Sequence, residues 1–81
     1  MRVFMYSLAG ILYEGDAEVA TLPAKDGEIS VLQNHVPLIT PLSKGTITLK
    51  KGSGFDEDTK SFPVAGGFAQ INPKEIILLV E

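Results

Sequence analysis

Nowhere in this chain of 81 residues do apolar residues recur at helical spacing with a cap and an opposite polar face. Glycine, proline and Asn/Asp turn signals instead interrupt it about every 8–12 residues, the punctuation of short strands. Residues 2–8 alternate loosely and close at Ala9-Gly10. Residues 11–14 and 17–22 give two more short strands, the second stopped by Pro23. Residues 28–32 alternate, with Ile29 and Val31 on one side and Glu28 and Ser30 on the other. After the Ser43-Lys44-Gly45 turn, residues 46–50 alternate cleanly, and residues 60–64 return as their hairpin partner. Residues 51–59 between them, with two glycines and three carboxylates, are expected to form the most exposed and most mobile loop. Residues 68–71 run to an Asn72-Pro73 turn, and residues 75–80 form a last strand. Its unbroken apolar run from 76 to 80 predicts cover on both faces. The expected fold is all-β: one domain over residues 1–81, a two-sheet β-sandwich of short, mostly antiparallel strands, with a small barrel as the other closed form.

Composition narrows the function. Apolar residues at 44% and charged residues at 21% are globular values and exclude disorder. So short a chain buries only about 60–65% of its unfolded surface, so modest stability is expected. Without cysteine there is neither a disulfide nor a thiolate metal site. Seven Lys and Arg, spread along a chain of net charge −3, give no nucleic-acid footprint. The run at 76–80 is far too short to span a bilayer, and the alternating N-terminal segment is not a signal peptide.

Few residues have chemical potential. Asp26, Glu28 and His35 carry groups that bind metals or transfer protons, the basis of an acid- or metal-assisted hydrolase reading. Their spacing matches no ligand motif, however, and there is no second histidine. The serines lack a G-x-S-x-G setting. Gly66-Gly67 lacks phosphate-loop spacing and a following helix, and reads as backbone room beside Phe68. Lys25 and Lys44 read as surface charges. No catalytic residue, metal or cofactor is expected.

The distinctive stretch is residues 22–42, LPAKDGEISVLQNHVPLITPL. Asp26-Gly27 is a turn, Gln33-Asn34-His35 breaks the strand that follows, and Pro37 and Pro41 make residues 36–42 an extended edge or loop, not a central strand. The side chains of Val36, Leu38, Ile39 and Leu42 must either complete the core or lie against another protein. An acidic, polar lip of Asp26, Glu28, Ser30 and His35 joined to an apolar edge is a protein-binding profile.

This stretch with Gly45, and then VAGGFAQINPKEIILLVE at 64–81, resembles the N-terminal domain family of bacterial F-type ATP synthase epsilon subunits, called delta in mitochondria. The match covers nearly the whole chain. The resemblance implies a non-catalytic β-sandwich on the central stalk, bound to the gamma subunit and to polar loops of the membrane c-ring, with alpha and beta in the same complex. It implies a peripheral position on the cytoplasmic side of the bacterial inner membrane. Carried over, the c-ring contact falls on Asp26, Gly27, Glu28, Ser30 and His35, and the gamma contact on Thr40, Pro41 and Leu42. Asn34 stands where many members have glycine. The chain ends at Glu81, where most members continue into two helices that sense ATP and inhibit; a chain ending there is expected to lack both roles. A free-standing β-sandwich adaptor using the same edge is the alternative.

Overall fold

The computed structural model describes residues 1–52 and 57–81. Among them are nine strands: β1 (Arg2–Ser7), β2 (Gly10–Asp16), β3 (Val19–Ala24), β4 (Gly27–Leu32), β5 (Leu38–Leu42), β6 (Gly45–Lys51), β7 (Asp58–Val64), β8 (Gly67–Ile71) and β9 (Glu75–Val80). The loop expected at 51–59 lies partly outside the described residues, and β6 and β7 extend into both its ends.

The strands form two layers. The order β2-β1-β9-β8-β5 makes the first sheet, and β3, flanked by β4 and β6 with β7 beyond, makes the second. The pairing of β1 with β9 is parallel, while the others are antiparallel. The ladder joins the two sheets at one position, where Ala24 of β3 meets Leu42 of β5.

Alternation builds the core. Val3 and Met5 of β1, Ala69 and Ile71 of β8, and Ile76, Leu78 and Val80 of β9 turn inward from the first sheet. Ala20 and Leu22 of β3, Val31 of β4, and Ile47 and Leu49 of β6 meet them from the second. Fully burying such a side chain contributes about 1.5–3 kcal/mol, and no polar side chain among the described residues is buried with them. Ile47→Val removes one methylene from this layer and is expected to cost about 1 kcal/mol in urea unfolding. A cost near zero would mean that Ile47 is not tightly packed.

Three expectations change. Only one face of β9 is covered: Leu79 is 55% exposed, because a domain of two layers has nothing to place over the outer side of its first sheet. Pro23 does not stop β3. Its carbonyl accepts Ser43 N–H at 2.7 Å, and in an antiparallel ladder the nitrogen faces the same side. There the pairing with β6 has already ended at Thr21, so no bond is lost. Residues 38–42 form a true strand, laddered along its length with β8. Pro41 is accommodated as Pro23 is: its carbonyl accepts Lys25 N–H at 3.1 Å, which turns the missing donor away from β8. The expected edge character survives in β5's other side, paired at Leu42 alone.

Candidate partner-binding surfaces

Four of the five residues expected to meet the c-ring lie along one open edge. β4 pairs only with β3, and the turn before it carries Asp26 and Gly27, the glycine at φ +133°. Glu28 and Ser30 point outward from β4 and are exposed, Ser30 sharing a hydrogen bond with Thr21 between hydroxyls 3.3 Å apart. His35 is elsewhere. At about 3.3 Å per residue, the strand carries the chain roughly 17 Å from Gly27 to Leu32, and His35 comes three residues later.

The histidine loop is fixed at that far end. Asn34 adopts φ +68° and donates its N–H to the Pro73 carbonyl at 2.7 Å, while His35 N–H reaches back to Leu32 at 3.2 Å. The His35 ring Nδ1 donates to the Val36 carbonyl at 2.7 Å, which leaves Nε2 free. Asp26 and Glu28 therefore make a lip at one end of β4 with Ser30 farther along the strand, and His35 belongs to a separate corner. Among the described residues no group of three His, Cys, Asp or Glu is placed to hold a metal.

The residues expected to meet gamma also divide. Leu42 is 6% exposed and belongs to the core, so its side chain offers no surface. Thr40 is half-buried. Pro41 is exposed and, with Ile39, points outward from the first sheet.

That outer face was missed in the sequence. Register lines up Ile11, Tyr6, Leu79, Phe68 and Pro41 in one row across five strands. A second row runs through Phe4, Ile77, Gln70 and Ile39. Phe4 stacks on Tyr6 with ring centroids 6.4 Å apart, and Arg2 lies over Phe4 at 5.8 Å. Phe68 and Ile39 are 57% and 71% exposed, and Leu8, at the β1–β2 turn, is fully exposed. A groove of about 730 Å³ crosses the end of this face between Tyr6, Leu8, Pro41, Phe68 and Leu79, with Gly66 beside it. The second sheet's outer face is different in kind: Ser30, Thr21, Thr48 and Ser61 make a hydroxyl row across it. The missed signal was the apolar run of β9 itself, which so short a chain cannot bury on both sides.

An apolar outer face, a polar opposite face and an acidic edge thus divide the surface of this all-β sandwich into chemically distinct regions. The chain belongs to the family ATP synthase, Delta/Epsilon chain, beta-sandwich domain, which it matches over residues 1–81. It is 38% identical over 72 residues to the ATP synthase epsilon chain of Halalkalibacterium halodurans, covering 89% of this chain and 51% of that one. To the epsilon chain of Caulobacter vibrioides it is 36% identical over 70 residues, covering 86% and 77%. The chain thus spans about half the length of several relatives it matches. Its fold is shared with a subunit in the solved mitochondrial ATP synthase of Euglena gracilis (OSCP/F1/c-ring), at a TM-score of 0.85 and 18% identity, covering 96% of this chain and 48% of the other. No helix among the described residues is long and apolar enough to cross a membrane.

Proposed function

We propose that this domain is a non-catalytic rotor element of an F-type ATP synthase, holding the gamma subunit and the c-ring together so that ion-driven rotation reaches the catalytic alpha and beta subunits. It works at the cytoplasmic side of the bacterial inner membrane as a peripheral component. The observation that carries this reading is the division of surfaces. In a chain of this family, the apolar outer face of the first sheet and the acidic lip on β4 of the second sheet are both open and chemically distinct.

The lip of Asp26, Gly27, Glu28 and Ser30 suits the polar loops of the ring, where exposed carboxylates set encounter and orientation more than affinity. The apolar face around Pro41 suits gamma, because burying aromatic and aliphatic side chains supplies most of the affinity of such interfaces. His35, at the opposite end of β4 from the lip, fits a ring contact less well than Glu28 does.

Affinity capture of the tagged chain from its own cell membranes, read by mass spectrometry, tests the assignment. Recovery of gamma with alpha and beta is expected. Recovery of unrelated soluble proteins alone would make the chain an adaptor that shares only the fold. Within the complex, Glu28→Ala is expected to weaken ring attachment about threefold and to lower ATP-driven ion pumping more than ATP hydrolysis. Equal loss of both would count against the lip.

A further inference from the structure

We infer that the joint between β3 and β5, built on Pro23, Gly45 and Pro41, is the element that passes load between the two partner surfaces. The inference rests on the reading above, in which the ring side lies on the second sheet and the gamma side on the first. The chain itself passes between those sheets at residues 17–18, 33–37, 43–44 and 65–66, and two kinds of contact add to these passages. One is the core, whose apolar packing is non-directional. The other is backbone hydrogen bonding, which is directional.

The strand ladder crosses between the sheets only where Ala24 meets Leu42. Two bonds flank that position, Ser43 N–H to the Pro23 carbonyl at 2.7 Å and Lys25 N–H to the Pro41 carbonyl at 3.1 Å. Further straps lie elsewhere: Asn34 bonds Pro73 from an exposed loop at the far end, Ala17 bonds Met1 at 2.9 Å, and Ala65, just after β7, bonds the Glu81 carbonyl at 2.9 Å. The β3–β5 joint sits beside both surfaces. Lys25 immediately precedes Asp26 of the acidic lip, and Pro41 lines the apolar groove. A displacement of the lip therefore reaches the groove by a short route, through this pair of backbone bonds and the passage of the chain from β5 to β6 at Ser43 and Lys44 beside them.

Gly45 sets how closely this joint closes. A Cβ at position 45 would stand 2.7 Å from Cβ and 3.2 Å from Cγ of Pro23, so any side chain there forces Pro23 or the backbone at 45 to shift, next to the bond between Pro23 and Ser43. Neither Gly45 nor Pro23 belongs to the contact surfaces assigned above. They are positioning residues.

The test uses the assembled ATP synthase in native membranes, carrying Gly45→Ala. Three quantities are read: the amount of the subunit retained with gamma and the c-ring, the rate of ATP hydrolysis, and the ions pumped per ATP hydrolysed. The expected result is normal retention with the pumping ratio reduced to about half or less, as strain is no longer passed through the packed joint. Pro23→Gly, which removes the clashing atoms, is expected to restore the ratio when combined with Gly45→Ala. Should Gly45→Ala fail to accumulate, Ser43→Pro deletes the donor of the same joint by another route and is expected to lower the ratio likewise. An unchanged ratio with both partners retained overturns the joint while leaving the rotor reading intact. Failure of the unaltered chain to capture gamma or the ring overturns the rotor reading, and the joint with it.

Discussion

Gly67→Ala is expected to cost about 4 kcal/mol of folding stability, at the upper end for single substitutions, and to be visible as a large fall in the urea midpoint. Gly67 opens β8 at φ +139°, a conformation that side chains rarely adopt. A Cβ there would overlap the carbonyl oxygen of Leu79 and stand 2.9 Å from Cα of Val80. These are backbone atoms of a central strand, laddered to β1 on one side and β8 on the other, so they cannot yield without breaking a sheet. Gly10 is the internal control. It has φ +125° but nothing within 4 Å of its added Cβ, so Gly10→Ala is expected to cost about 1 kcal/mol from backbone conformation alone. Equal costs at the two positions would show that the close approach to β9 is not what requires glycine at 67.

This contrast also marks how far the sequence could be read. The pattern of β4, β6 and β9 was legible because period-two alternation and turn residues are local properties, and β9 was bounded at both ends as expected. Pairing was not legible. That β1 lies parallel to β9, and that β5 reaches both β8 and β3, follows from how the layers close, which no local window encodes. Pro23 and Pro41 misled for a related reason: a proline forbids a strand only where its missing donor faces a neighbour, and here both face the seam between the sheets. The polar lip was half legible. Asp26, Glu28 and Ser30 are close in sequence and lie along the turn and the first four residues of β4, whereas His35 shares their polarity and not their place. The apolar face escaped because its rows are assembled from five strands distant in sequence, each contributing one or two ordinary hydrophobic residues.

That face carries the second large effect. Phe68→Ala together with Leu79→Ala is expected to weaken binding of gamma by about 100-fold, near 2.7 kcal/mol, the scale of paired anchors at the centre of an interface. The two side chains are direct cross-strand neighbours, with Tyr6 beyond Leu79 and Pro41 beyond Phe68. Removing both therefore opens the middle of the row and not its rim. Both are more than half exposed in the free domain, so truncation leaves little cavity and the urea midpoint should change far less than gamma affinity does. Ser61→Ala, in the hydroxyl row of the other sheet, is the matched control and should leave binding unchanged. Binding of gamma measured by isothermal titration separates the cases. A loss confined to the Phe68 and Leu79 variant identifies the first sheet as the gamma side. Unchanged binding in that variant, with its fold intact, would move gamma off the apolar face.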